Sequence, residues 1–458
     1  MFFEWSDTWY KTTRATTRSS LDLRSINESI LFVEAELDKI GVAKQEQVMK
    51  IGTSSIKQGI QPDSSPRDWS WGFWPAVPLY PYGRRRTLRF EVAKDTIWTF
   101  DQVQGILYTV VPIRMTVVKL KAGGLLVYAP IAPTPECIRL VNELVMEHGD
   151  VKYIILPTSS GLEHKVFVGP FARRFENAQV FVAPNQWSFP LNLPLAWLGF
   201  PQSRTHVLPK NSSQTPFAQE FDYEVLEIDL GRGSFAEVAL IHKRSRTLLV
   251  TDSILSVPLS PPAIVQLDPY PLLFHARDNA LEVIEDNEAN RRKGWQRICL
   301  FAIYFRPSAL EITGMLQVFR NALKAPERSK KAYFGLFPFR WKEDWKQSFD
   351  ALRGNGRPFV APILQTLILP QASRQVLNWA DKVASWNFER IISCHFDSPI
   401  EVSSRQFRSC FAFLEKKPAA NQDSSSSQSL LESDSEFIKE LEAFLVKYGI
   451  ATPAKEKV

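Results

Sequence analysis

Short runs in which apolar and polar positions alternate predict β-strands along the central part of this chain. In residues 115–131, MTVVKLKAGGLLVYAPI, the alternation breaks at Gly123-Gly124 and then resumes, which predicts a β-hairpin. Apolar segments bounded by turn-forming residues predict further strands at residues 151–156, 179–183, 223–229, 236–242, 246–251 and 390–394.

Helical segments separate these strands. The pattern predicts a helix near residues 134–148 and a second helix that begins near Glu163. Residues 275–387 have a mostly helical pattern, and the strand that begins at Arg390 leads into His395. Alternating strands and helices, followed by a helical insertion and a closing strand, favour stacked α/β layers over an all-β barrel.

Both ends of the chain carry a predicted amphipathic helix that a polar linker joins to the rest. Apolar residues at steps of three and four predict the first helix near residues 21–41. The capping box Ser433-x-x-Glu436 predicts the start of the last helix, which docks either on its own domain or on a protein partner. We therefore predict three parts: an N-terminal extension at 1–66, a main domain at 67–415 with a helical insertion at about 270–387, and a linker with a C-terminal helix at 416–458.

The composition is that of a folded globular protein, with 45% hydrophobic and 23% charged residues. A net charge of +6 is small for 458 residues, so we expect no nucleic-acid partner. Arg84, Arg85 and Arg86 form either a solvated basic loop or a contact for an anionic membrane surface or acidic partner. We expect no transmembrane segment, because no apolar stretch reaches roughly 18 residues. Four widely spaced cysteines indicate a reducing compartment, so we expect a cytoplasmic protein. If the arginine cluster contacts a membrane, the protein is peripheral to that membrane.

Groups capable of metal binding or acid–base chemistry follow three of the predicted strands. Glu163 and His164 come shortly after the strand at 151–156, Asp252 follows the strand at 246–251, and His395 follows the closing strand. If these strand ends meet at one point, the imidazoles and carboxylates suit one zinc, iron or manganese ion. Taken alone, His164 is better explained as a residue that caps or lines the following helix, and Glu163 is also explained as the partner of Arg173 or Arg174; the coincidence of three strand ends is what favours ligands.

The same segments resemble the metallo-β-lactamase superfamily. The stretch from Thr158 to His164 is similar to its Thr-His-x-His-x-Asp-His motif, with Glu163 at the aspartate and His164 at the last histidine. Segments GRGSFAEVALIHKRSRTLLVTDSIL and RIISCHFDSPI resemble its hairpin and its closing strand, with Asp252 at the bridging aspartate and His395 at the terminal histidine. Ser159, Gly161 and the turn at Gly233 stand where the resemblance implies the histidines of the first metal.

The resemblance implies an αββα sandwich with a helical insertion and helical extensions at both ends. It also implies at most one ion, held by His164, Asp252 and His395, with Glu163 as ligand or general base, because a two-metal clamp needs the lost histidines. Residues from about 69 to 400 further resemble a domain-of-unknown-function family of phototrophic bacteria and plastids, through WPAVPLYPYGRRRTLR, AGGLLVYAPIAPTPE, VFVAPNQWSFPLNLP, LLFHARD and RRKGWQR. If the protein is eukaryotic, this second resemblance implies that it is located in the plastid stroma.

Two functional hypotheses follow from these residues. The first is a non-catalytic scaffold or assembly protein of a phototroph, which has kept the fold and lost the chemistry. The alternative is a hydrolase that depends on one metal ion at the remaining ligands. The segments around His275 and Arg297 bind substrate under the second hypothesis, and otherwise form hydrogen bonds and ion pairs within their helices.

Overall fold

A computed structural model describes residues 64–72, 79–106, 108–159, 163–187, 193–231, 233–415 and 430–448. The helix predicted at 21–41 and the linker at 416–429 lie outside the described residues. Among the described residues, no helix is both long and apolar enough to cross a membrane.

The first sheet contains seven strands in chain order. They are β1 (Leu88–Ala93), β2 (Ile97–Ile106), β3 (Thr109–Lys119), β4 (Leu125–Tyr128), β5 (Val151–Leu156), β6 (Gln179–Val182) and β7 (Thr205–Val207). Strands β1 to β4 are antiparallel and β4 to β7 are parallel. The predicted hairpin is confirmed: β3 and β4 meet at Gly123 and Gly124, whose φ angles of 78° and 89° suit glycine.

The second sheet contains five strands and is closed by a strand from late in the chain. Its order is β14 (Ile400–Glu401), β13 (Arg390–Ser393), β10 (Thr247–Val250), β9 (Ser234–His242) and β8 (Phe221–Asp229). Strands β10 and β13 are parallel, with Val250 opposite Ser393. The other pairs in this sheet are antiparallel, and a separate pair, β11 (Leu310–Ile312) and β12 (Phe339–Trp341), lies within the largely helical insertion.

The α-helices are short and lie outside the two sheets or in the insertion. They are α1 (Pro135–His148), α2 (Lys165–Ala172), α3 (Ala263–Gln266), α4 (Tyr270–Ala276), α5 (Glu288–Tyr304), α6 (Met315–Ala322), α7 (Trp345–Arg353), α8 (Ser373–Ala384), α9 (Ser404–Ser409) and α10 (Glu436–Lys447).

Two hydrophobic cores show how these elements form layers. Val117 and Ile154 of the first sheet pack with α1 and α2, whereas their neighbours Val118 and Ile155 pack against the second sheet. Successive residues of a strand face opposite sides of its sheet, so one apolar strand serves both cores. On the far side of the second sheet, α8 packs on β8, and the Nε1 of Trp379 donates to a backbone carbonyl of that strand at 3.2 Å. The αββα sandwich expected from the resemblance is thereby confirmed.

The C-terminal helix α10 docks on its own domain. Ile438, Leu441 and Leu445 are buried, and the helix packs beside the helical turn Leu364–Ile368. The predicted capping box is wrong, because residues Glu432–Ser435 form a 3₁₀ turn and no side chain caps α10. The cause is a tertiary contact, because Asp434 in this turn accepts hydrogen bonds from Ser308 and Ser348.

Candidate metal centre

The strand register brings Asp252 and His395 to the same edge of the second sheet. Val250 and Ser393 are opposite each other on the parallel strands β10 and β13, and Asp252 and His395 each follow two residues later. The carboxyl ends of parallel strands face the same edge. Glu163 and His164 reach this edge from the first sheet, because they directly precede α2 after the end of β5.

Three of the four predicted ligands lie together. One ligating atom from each of Glu163, Asp252 and His395 lies within 4.8 Å of the other two. His395 Nε2 is 2.9 Å from Glu163 Oε2 and 3.3 Å from Asp252 Oδ1. His164 lies beside this group, with its ring centroid 6.5 Å from that of His395. Glu163 therefore pairs with His395.

Both imidazoles are oriented by backbone carbonyls. His395 Nδ1 lies 3.0 Å from the carbonyl oxygen of Pro112, and His164 Nδ1 lies 3.1 Å from that of Pro130. A carbonyl only accepts, so each Nδ1 carries a proton and each neutral ring keeps its lone pair on Nε2. His164 Nε2 is buried and has no hydrogen-bond partner among the described residues. A metal-binding histidine usually donates a hydrogen bond from the ring nitrogen that does not bind the metal, as Nδ1 does in both of these histidines.

The two histidines of the site differ in their protonation. Burial lowers the pKa of His395, but attraction to Glu163 and hydrogen bonds to Asp252 and Glu163 outweigh it and hold the pKa well above its usual value. Burial raises the pKa of Glu163, but the neighbouring His395 outweighs it and lowers the pKa to about 2. Burial lowers the pKa of His164, although Glu163 opposes this effect. Without an ion, His395 is thus the cation of the cluster and His164 is neutral.

Two buried supports of the site escaped the sequence analysis. Glu237 accepts hydrogen bonds from the backbone N–H groups of Thr251 and Asp252 at 2.6 and 3.0 Å, and so holds the turn that carries Asp252. Arg114 donates to the carbonyls on either side of His395, those of Ser393 at 2.7 Å and Phe396 at 3.2 Å.

Arg114 is itself held by Asp101, which lies opposite it on β2. The guanidinium makes two bonds to the carboxylate, at 2.8 and 2.9 Å, and both side chains are buried. The sequence did contain a signal for this pair, because Asp101 and Arg114 each lie inside a largely apolar strand. Charged side chains in such positions are rarely buried unless they are paired.

The positions where the resemblance implies a first metal have other contacts. Ser159 donates to the carbonyl of Ser234 at 2.9 Å, and Lys165 donates to the carbonyls of Ser159 and Trp187 at 3.1 and 2.6 Å. At Gly233, which has a φ of 132°, an added Cβ would lie 3.0 Å from the Trp187 ring. Gly161 lies outside the described residues. Glu163, Asp252 and His395 are the single ligand group of three or more found in the described part of the chain.

The segments around His275 and Arg297 are joined to each other by ion pairs and hydrogen bonds. Asp278 pairs with Lys293 at 2.9 Å and with Arg297, and the Arg297 side chain lies over the rings of Trp341 and Trp345. Their role is thus to join α4 to α5.

Solved structures similar to this chain include metallo-β-lactamase and flavodiiron proteins. The DIM-1 metallo-β-lactamase exposed to ceftazidime is 8% identical, with a TM-score of 0.34 over 71% of this chain and 96% of that one. A mutant flavo di-iron protein from Thermotoga maritima is 9% identical, with a TM-score of 0.36 over 73% and 64%. The Flv1 flavodiiron core from Synechocystis sp. PCC6803 is 10% identical, with a TM-score of 0.34 over 71% and 60%. All three TM-scores lie below 0.5, so the αββα assignment rests on the sheet order and the two cores.

No curated protein matches the chain. A family model does match, over residues 94–413, and its description is Domain of unknown function (DUF4336). That match covers well over half of the 458 residues and includes both sheets' central strands and all four predicted ligands. The chain therefore belongs to the DUF4336 family.

Proposed function

We propose that this protein binds one divalent transition-metal ion between Glu163, Asp252 and His395, with His164 as a further ligand, and that it is a metal-dependent hydrolase. The observation that carries the proposal is the convergence of three ligating atoms within 4.8 Å beside a buried His164 Nε2 that has no partner among the described residues. A buried polar atom without a partner is costly, and coordination removes that cost.

The donor set fits a zinc, iron or manganese ion. Two imidazoles and two carboxylates are the ligands that these ions accept, at about 2.0–2.2 Å each for zinc. Ligand atoms at that distance in a tetrahedron are about 3.3 Å apart. His395 Nε2 lies 2.9 and 3.3 Å from the two carboxylates, which is near this spacing, and all three ligating atoms lie within 4.8 Å of one another.

Exposure of the ligands supports hydrolysis. The side chains of Asp252 and Glu163 are 30% and 18% exposed, whereas the two imidazoles are buried. The carboxylate side of the cluster thus faces solvent, where water and a substrate have access. A bound ion lowers the pKa of water toward about 7. His395 lowers the pKa of Glu163 to about 2, so at neutral pH its carboxylate is ionised and available to bind the ion or to position a water molecule.

A non-catalytic scaffold is the second candidate, and one observation favours it. His395 forms ion pairs with both Glu163 and Asp252, so the three groups largely balance one another's charge without an ion. The hydrogen bonds of Ser159 likewise give the strand end a structural role. Under this candidate the cluster ties the two sheets together and nothing more. Its phototroph setting rests on the resemblance.

Metal analysis of the full chain separates the two candidates. We expect about one zinc, iron or manganese ion per chain, a higher thermal midpoint after metal addition, and loss of both in Asp252→Asn and His164→Ala. His206→Ala, at an exposed histidine, is the matched control and keeps both. Trace metal in the wild type, together with no response of the midpoint to any of the three ions, would refute the metal centre.

Turnover is tested next, on the metal-loaded protein. A panel of chromogenic acyl and phosphoryl esters is expected to show metal-dependent hydrolysis that falls at least about a hundredfold in Glu163→Gln. A protein that binds metal but hydrolyses none of the panel, with Glu163→Gln indistinguishable from wild type, supports a structural ion and the scaffold candidate.

A further inference from the structure

Helix α6 presents an unusually exposed apolar face. Four large apolar side chains are exposed on it: Met315 (51%), Leu316 (77%), Phe319 (49%) and, just after the last helical residue, Leu323 (75%). Large apolar side chains are common singly on surfaces, but a contiguous group marks an interaction site. We call these four residues the α6 apolar face.

The arrangement around the helix is that of an element lying on a surface. At 100° per residue, the four apolar side chains occupy an arc of about 100°. Val318 and Ala322, on one side of this arc, are buried against the domain. On its other side come Arg320 and then Lys324, both exposed.

The surrounding charge is strongly positive. Residues 313–331 hold five basic side chains, Arg320, Lys324, Arg328, Lys330 and Lys331, and one acidic side chain, Glu327. Glu327 is already engaged, since Arg277 lies 3.4 Å from its carboxylate. Arg320 and Lys324 make no ion pair with any described residue, so their charge is available to a partner. On the N-terminal side of α6, the first acidic side chain along the chain is Glu311 on β11.

We propose that the α6 apolar face and its basic flank bind the surface of a bilayer that contains anionic lipids. An apolar arc edged by lysine and arginine lets a helix lie in the headgroup region, with its apolar side chains at the acyl boundary and its cations among the anionic headgroups. The match between unpaired cations and an anionic surface is what favours lipid over a protein partner. This inference is independent of the metal centre.

Co-sedimentation of the full chain with vesicles tests the proposal. We expect binding to phosphatidylcholine vesicles in which about a third of the lipid is phosphatidylglycerol, little binding to pure phosphatidylcholine, and release at high salt. The double variants Leu316→Ser with Leu323→Ser, and Arg320→Glu with Lys324→Glu, are each expected to weaken binding by about tenfold or more. Because all four side chains are exposed, these variants keep the fold, which circular dichroism confirms.

The control replaces exposed apolar residues elsewhere. Met146→Ser with Val207→Ser changes side chains that are 81% and 60% exposed and leaves vesicle binding unchanged under the proposal. Failure of the wild type to sediment with the anionic vesicles overturns the proposal, as does equal binding by the Leu316/Leu323 variant. Concentration-dependent self-association that this variant abolishes, without vesicle binding, would show that a second copy of the chain covers the face instead.

Discussion

Removal of the Arg114 side chain is expected to weaken the fold and the metal centre together. Arg114 lies on β3 of the first sheet and donates to the carbonyls of Ser393 and Phe396, which flank His395 at the end of the second sheet. Asp101 fixes the guanidinium by two hydrogen bonds. Arg114→Met keeps most of the apolar volume and deletes all four bonds, so it is the most direct perturbation of this link.

The expected cost is large because the pair is buried. Breaking a buried ion pair by removing one partner costs about 3–5 kcal/mol, since the other charge stays uncompensated. Arg114→Met also leaves two carbonyls without donors, at about 1 kcal/mol or more each. We therefore expect a loss of about 5 kcal/mol for Arg114→Met and of about 3 kcal/mol for Asp101→Leu. The double variant leaves no buried charge, so its cost is expected to be about 3 kcal/mol, far less than the sum.

Urea denaturation followed by tryptophan fluorescence measures these losses, and metal affinity is the second readout. The control is Arg246→Met, which breaks the ion pair between Arg246 and Glu389. These two side chains are 42% and 51% exposed, respectively. That change is expected to cost less than about 1 kcal/mol. Arg114→Met should also weaken metal binding, because the loop that carries His395 loses its anchor, whereas Arg246→Met should not. A cost for Arg114→Met equal to that of the control, or additive costs in the double variant, would refute the reasoning.

Three further predictions concern single buried groups. Burial, with a contribution from Arg244, lowers the pKa of His242 to about 4, below the unfolded value of about 6.5. The unfolded chain therefore takes up a proton first, and up to about 3 kcal/mol of stability is lost as pH falls from 6.5 to 4, a loss that His242→Asn reduces in urea titrations at each pH. Gly294→Ala should lower the thermal midpoint sharply, because the new Cβ would lie 1.8 Å from the carbonyl oxygen of Leu272. Asp434→Ala removes the acceptor for the Ser308 backbone N–H, at 2.9 Å, and should make α10 sensitive to limited proteolysis at a cost of about 2 kcal/mol.

The predictions for His242 and Gly294 each have a matched comparison. His206→Asn, at an exposed histidine, should leave the slope of stability against pH below 6.5 greater than in His242→Asn. Gly314→Ala, where nothing lies within 4 Å of the added Cβ, should hardly change the midpoint. Equal effects in a variant and its comparison would contradict the corresponding burial argument.

The sequence was sufficient to predict the central strands of both sheets and the convergence of three of the four candidate ligands. Alternation and turn residues located the hairpin at Gly123-Gly124, and the strand ends identified Glu163, Asp252 and His395 before any register was known. Strand ends are predictable because the apolar run stops there. The position of His164 in the sequence likewise placed it beside the group, but its 6.5 Å ring separation from His395 depends on how the loop before α2 bends.

The start of α10 depends on tertiary contacts that the sequence pattern does not show. Ser433 has the spacing of a helix cap, yet the buried Asp434 accepts bonds from the Ser308 N–H and hydroxyl and from the hydroxyl of Ser348. These bonds hold residues 432–435 in a 3₁₀ turn and move the start of α10 to Glu436. A local preference worth about 1 kcal/mol gives way to several buried hydrogen bonds.

The contacts of His395 show that tertiary contacts also determine the geometry of the proposed metal centre. His395 belongs to the second sheet by chain position, but its Nδ1 bond to Pro112 and its flanking bonds to Arg114 all come from β3 of the first sheet. Its position is therefore set by the contact between the sheets, to which the loop after β5 adds the ion pair with Glu163. Ser159 and Ser234 occupy that loop's side with hydrogen bonds of their own. The hydrogen bonds of Ser159 and Ser234 are thus separate from those that hold His395, and this separation is physically consistent with the proposed single-ion centre.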